Sequence, residues 1–74
     1  MFGRKLEANI AVEGMHCNHC KAKVEKAIDS VKGVKKYEVR LESADAFVIY
    51  EEGKTTPEKI AEAISAIGFE ARVK

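Results

Sequence analysis

Alternation opens the chain. In "LEANIAV", residues 6–12, Leu6, Ala8, Ile10 and Val12 fall on one face, the period of a half-buried strand. Gly14 breaks the pattern, and from Asn18 the period lengthens. Cys20, Val24, Ala27, Ile28 and Val31 then form one helical stripe, with Asn18 as the expected N-cap and Gly33 as the expected stop. "VKKYEVRL", residues 34–41, sets Tyr37, Val39 and Leu41 on one face of a second strand. "ESAD" is a short polar turn and "AFVIYE" a third strand, so the two strands should form an antiparallel hairpin. A second helix is announced by "EEGKTTPEKIAEAISAIG", residues 51–68. Either Thr56 caps it with Pro57 at the first helical position, or Thr55 and Glu58 form a capping box. Ile60, Ile64 and Ile67, with Ala63, supply its buried stripe, and Gly68 ends it. "FEARV", residues 69–73, alternates again as a last strand.

The order β-α-β-β-α-β is the split βαβ, or ferredoxin-like, pattern of the α+β class. It predicts a four-stranded antiparallel sheet with both helices on one face. No linker, second domain or internal repeat interrupts it, so residues 1–74 are expected to form a single domain. A chain this short buries only about 60% of the surface its unfolded form exposes, which favours a surface site over a deep cleft.

Composition narrows the function. The net charge of +1 excludes a generally basic nucleic-acid binder, and no wide basic surface interleaved with aromatics appears. No apolar run approaches the ~18 residues of a membrane span, and "MFGRKLEANI" lacks a signal-peptide core. The chain is therefore read as soluble and cytosolic, without membrane insertion. In a reducing compartment, two cysteines three positions apart point to metal or redox chemistry, because the loop they would close is too small to staple a fold.

Both cysteines and both histidines lie in "GMHCNHC", residues 14–20. Cys17 precedes the first helix and Cys20 sits in its first turn, where free N–H groups and the helix dipole favour thiolate. Lys21 and Lys23 add positive charge nearby. The C-x-x-C spacing lets two sulfurs converge on one ion. With no second pair, a four-cysteine zinc site cannot form within one molecule. Two thiolates suit a soft cation, and Cu(I) is the best candidate on ligand softness. Such an ion stays open to a third thiolate, as a carrier requires. Met15 is read as packing, although its thioether could also bind Cu(I). His16 and His19 are auxiliary ligand candidates that would bring in Zn(II). However, His19 points about 100° from Cys20 on a helix of 3.6 residues per turn, and His16 precedes Cys17 in an extended loop. Either could instead share a metal between two molecules.

"GMHCNHC" within this element order resembles the heavy-metal-associated domain, whose signature is G-M-x-C-x-x-C. The resemblance runs from Leu6 to Val73 and includes "AISAIGFEA". It implies Cu(I) held by Cys17 and Cys20, and transfer by thiolate exchange to a similar domain such as that of a copper P-type ATPase. Gly14 and Met15 match the family's loop glycine and buried methionine. Phe69 matches an aromatic or lysine position facing the metal site, and phenylalanine there looks more like an ATPase domain than a free chaperone. His16 stands where zinc- and cadmium-type members often place aspartate, which favours copper.

Three other readings compete. A thiol-disulfide oxidoreductase would resemble thioredoxin in needing a cis-proline opposite its cysteines, yet Pro57 reads as a helix-start proline. A Zn(II), Ni(II) or Hg(II) binder could use the same fold. A purely structural or interaction module would not need the cysteines. The favoured reading is a non-enzymatic metallochaperone with no catalytic residues, monomeric or joined as a dimer through metal. Lys21 and Lys23, on a lysine-rich first helix, are expected to help dock an acidic partner domain.

Overall fold

The computed structural model describes residues 4–74, so residues 1–3 of the expected single domain lie outside the described residues. The elements are β1 (Lys5–Glu13), α1 (Asn18–Asp29), β2 (Val34–Arg40), β3 (Asp45–Glu51), α2 (Pro57–Ser65) and β4 (Glu70–Val73). The strands form one sheet in the order β2-β3-β1-β4, every neighbouring pair antiparallel. This is the expected ferredoxin-like sandwich.

The alternation of β1 fixes its register. Ala8, Ile10 and Val12 face the helices and lie in one buried cluster with Ala46, Val48 and Tyr50 of β3. A slip of one residue would turn this set to solvent and bring Glu7 and Asn9 inside. Val24 and Ile28 of α1, with Ile60, Ala61 and Ile64 of α2, close the same cluster from above. Both helices thus cover one face, and the other is left to polar side chains with Phe47 and Ile49 half-buried among them.

Several boundaries differ from those the pattern suggests. Ile67 is 43% exposed rather than part of the α2 stripe, because the helix ends at Ser65 and the chain turns before Ile67 can face inward. Ala61 is buried instead, while Ala63 is only half-buried. Thr56 is the α2 cap: its hydroxyl accepts from the Lys59 N–H at 3.3 Å, with Pro57 next. Thr55 is buried and does not cap. Tyr37 remains 36% exposed because β2 is an edge strand. Gly33 does not stop α1, whose C-cap is Ser30. It shapes the turn into β2 at φ +98, where an added Cβ would lie 2.7 Å from Cβ of Lys54. Its carbonyl accepts from the Glu51 N–H at 2.8 Å, so the turn is stitched to the end of β3.

The polar turn after β2 conceals a buried carboxylate. Asp45 is only 5% exposed, on the helix-free face of the sheet. Its Oδ1 accepts from Arg40 Nε at 3.2 Å and Ser43 Oγ at 2.9 Å, and its Oδ2 from Lys74 Nζ at 2.9 Å. Its strand neighbour on β1 is Ala11, whose small side chain leaves the way clear for Lys74 to cross the sheet. One carboxylate therefore ties β2, the hairpin and the end of the chain together. The hairpin is also fixed to β1, since the Val12 N–H donates to the Ala44 carbonyl at 2.9 Å.

Burial alone would raise the Asp45 carboxyl above its usual range. The hydrogen bonds from Lys74 and Ser43 and the charges of Arg40 and Lys74 outweigh it and hold the group below that range. A carboxyl lowered in this way stabilises the fold above the unfolded aspartate value of about 3.9, and the contribution is lost as pH falls through the folded value. We expect Asp45→Asn to cost about 1–3 kcal/mol at neutral pH, the scale of hydrogen bonds to a charged group. Urea melts should show the gap between wild type and variant narrowing below about pH 4. A gap that persisted unchanged into acid would locate the effect in packing instead of charge.

Candidate metal centre

The site begins where the alternation of β1 ends. Gly14 adopts φ +100, and the position its Cβ would take lies 3.3 Å from Cδ1 of Phe69. A side chain at residue 14 would be strained by the backbone and would push on this ring. The turn sends Met15 inward to 6% exposure, within the main core cluster. Gly14, Met15 and Phe69 are thus brought together under the loop, and Met15 is placed as packing.

Cys17, and not Asn18, is the N-cap of α1, with extended φ −153 and ψ 172 and no side-chain cap hydrogen bond. Asn18 is already the first helical residue. The usual cap offers a side-chain oxygen to the free N–H groups of the first turn. Here a sulfur stands in that place, and the first turn carries no acidic residue to compete for the positive end of the helix. The N–H groups of Cys20 and His19 at the open helix start and the neighbouring Cys20 thiol favour the charged form of Cys17. Slight desolvation opposes them, and the charge of Lys23 assists. The Cys17 thiol is held below the ordinary thiol range.

The two sulfurs differ in setting. Cys17 is exposed, whereas Cys20 is half-buried against the core. Both are free, with Sγ atoms 3.7 Å apart. With metal–sulfur bonds of about 2.3 Å, sulfurs at this spacing subtend an angle of about 107°, whereas a linear arrangement would need about 4.6 Å. The resting pair could therefore grip an ion from one side and leave its outer side open. Opening toward linearity would fall to Cys17, the one not packed into the core.

Other residues stand apart from the sulfurs. His16 and His19 are exposed, and among the described residues no three His, Cys, Asp or Glu side chains come together as a cation site. Lys21 and Lys23 lie on opposite flanks of α1. Lys21 borders a depression with Glu38, Arg40 and Glu42, and Lys23 borders another with Lys26, Ala27 and Ile67. The pattern of the sequence did not single out Ile67 as a surface residue. The signal available was Gly68, whose turn begins one residue earlier than the apolar spacing suggests.

Comparison with known proteins bears on the family and the fold. A family model, the heavy-metal-associated domain, matches residues 9–70. The copper chaperone CopZ of Enterococcus hirae is 37% identical over 92% of this chain and 99% of its own. The crystal structure of oxidized MerP from Ralstonia metallidurans CH34 superposes with a TM-score of 0.90 at 34% identity, covering 96% of this chain and 99% of that one. The N-terminal domain of PacS from Synechocystis PCC6803, a probable copper-transporting ATPase, superposes with a TM-score of 0.84 at 33% identity, covering 93% and 97%.

Lowering of the Cys17 thiol raises the share of the reactive thiolate at that sulfur at a given pH. The rate of Cys17 alkylation by iodoacetamide, followed by mass spectrometry, should have its pH midpoint below the ordinary thiol value of about 8.5. Lys23→Gln should move that midpoint upward. An ordinary midpoint in the wild type would mean that the helix start does not activate the sulfur.

Proposed function

The chain belongs to the heavy-metal-associated domain family, and we propose that it is a Cu(I) carrier that binds the ion between Cys17 and Cys20 and passes it to a related domain by thiolate exchange. The observation that carries this reading is the pair itself: two free sulfurs 3.7 Å apart, one exposed and lowered in pKa, one anchored, with no third His, Cys, Asp or Glu gathered beside them among the described residues. Two soft ligands suit Cu(I), and a site open to solvent lets an incoming thiolate bind before the first two let go. No substrate bond is made or broken, so the role is transport and not catalysis. The similarity to CopZ and to the PacS domain supports copper as cargo and a copper-transporting ATPase as one terminus of the exchange. The reduced state the pair requires fits a cytosolic setting.

Hg(II) is the second reading, favoured by 37% identity over 88% of this chain to the periplasmic component of a mercuric transport protein of Alcaligenes sp.. It uses the same two sulfurs. Zn(II) has less support, since a closed zinc site would need His16, His19 or a second molecule to complete four ligands. A redox enzyme is disfavoured because Pro57 opens α2, a helix away from the Gly68–Phe69 turn that abuts the metal loop.

Anaerobic Cu(I) loading followed by X-ray absorption at the copper edge tests the site. We expect one Cu(I) per chain with two sulfur neighbours, loss of tight binding in Cys17→Ser and Cys20→Ser, and release to a second C-x-x-C domain on mixing. Nitrogen in the first shell would bring in His16 or His19. Tight retention with no release would make the protein a store.

A further inference from the structure

The end of the molecule opposite the metal loop gathers positive charge. The Glu52 N–H donates to the Arg4 carbonyl at 2.7 Å, Lys5 pairs with Glu51 across the sheet, and the Glu51 N–H donates to the Gly33 carbonyl at 2.8 Å. The start of β1, the α1–β2 turn and the end of β3 are thereby drawn together, and the close approach of Gly33 to Lys54 adds the loop before α2. Arg4, Lys5, Lys32, Lys35, Lys36 and Lys54 all stand exposed there. Among the described residues only Lys35 of these six enters an ion pair, with Glu51 at 3.5 Å. Four carboxylates share this end when the helix-end Asp29 and Glu58 are counted with Glu51 and Glu52. Six cations thus face four carboxylates here, whereas the rest of the chain has seven cations against eight. The net charge of +1 hides this division.

Shape and distance say what such an end suits. The cations sit on strand starts and turns, and the two depressions beside α1, lined by Lys21 with residues 38–43 and by Lys23 with Ile67, lie elsewhere. Cations spread over turns fit a broad anionic surface. A single-stranded nucleic acid would call for aromatic rings among them. The one exposed aromatic side chain among the described residues, Tyr37, is on the opposite face of β2 from Lys36. The nine residues of β1 rise about 3.3 Å each, which sets the metal loop roughly 25 Å from this end. A charged surface acts over a Debye length of about 8 Å, so a body bound here leaves the sulfurs unobstructed and outside its field.

We propose that this basic end docks the protein on an anionic lipid surface, held by charge without insertion, with the C-x-x-C loop pointing away from the lipid. The proposal rests on the carrier reading for its purpose. A copper-transporting receiver is embedded in a membrane, and a carrier that rides the lipid surface meets it by a search in two dimensions. Each lysine or arginine close to an anionic leaflet accounts for roughly a fivefold gain in partition. Lys32 and Lys54, brought side by side where Gly33 meets the loop before α2, carry the largest testable share.

The test is sedimentation of the full chain, metal-free, with vesicles of phosphatidylglycerol mixed into phosphatidylcholine, against vesicles of phosphatidylcholine alone. The chain should bind the anionic vesicles at low salt, come off as salt rises, and leave the neutral ones unbound. The double variant Lys32→Gln/Lys54→Gln should bind at least about tenfold more weakly. Lys21→Gln/Lys23→Gln removes the same charge at the metal end and should stay within about threefold of wild type. Iodoacetamide should alkylate Cys17 of the wild type as fast on vesicles as in solution. Absence of binding to the anionic vesicles would overturn the proposal. So would an equal loss in the two double variants, which would reduce the effect to net charge, or protection of Cys17 on vesicles, which would turn the metal end toward the lipid. A single-stranded oligonucleotide bound through Lys32 and Lys54, with no vesicle binding, would assign the surface to nucleic acid instead. The vesicle assay uses no metal, so its failure leaves the carrier reading standing. Vesicle binding by a chain that never releases copper would end the carrier reading and keep the docking surface.

Discussion

The metal end of this molecule depends on a helix that begins without a side-chain cap. Every α-helix starts with four N–H groups that have no partner inside the helix. Most sequences answer with serine, threonine, aspartate or asparagine at the cap. Here Cys17 holds that position, and the N–H groups of His19 and Cys20 are left facing its sulfur. The thiolate is the species that best satisfies them. Local helix chemistry and metal chemistry therefore ask for the same ionisation state, and neither needs a dedicated basic group.

The second dependence is on unequal burial. Cys20 is on the stripe that packs against the sheet, with Val24 and Ile28 one and two turns further along. Cys17 lies outside that packing. The site accordingly has one sulfur fixed by the core and one free to adjust to the ion or to a competing ligand. Had both been buried, exchange would require part of the core to open. Had both been exposed, nothing would hold their spacing. Met15 beneath the loop and Phe69 against Gly14 keep the fixed half in place.

How much of this was legible in the sequence varies with the range of the interaction. Alternation in residues 6–12 and the Thr56-Pro57 start of α2 are local signals, and the strand and cap appear where those signals put them. The sulfur pair was legible because its spacing and its helix start are also local. Features set by distant packing were not. Ile67 continues a 3.6-residue apolar period, yet the helix has already ended, and no local pattern announces that. Asp45 looks like any polar turn residue, because the Lys74 that partners it is 29 positions away in sequence. Lys21 and Lys23 are near neighbours in sequence, but two residues on a helix are about 200° apart, which sets them on opposite flanks.

An uncapped helix start also has a cost, and its size bears on how the site works. Replacing a good cap residue by a non-capping one typically loses about 1 kcal/mol. In a chain of 74 residues, where burial on folding is limited, that is a noticeable share of the margin. The loss is tolerable here because the stabilising contacts lie elsewhere. The isoleucine and valine core spans the sheet and both helices, and the Asp45 cluster ties the helix-free face. Stability and reactivity are thus carried by different residues. A Cys17 thiolate would answer the N–H groups that a capping oxygen usually serves, and an ion bound by the sulfur would keep it in that form. That separation is what the proposed exchange site would require: cargo could be gained and lost without the rest of the structure having to change.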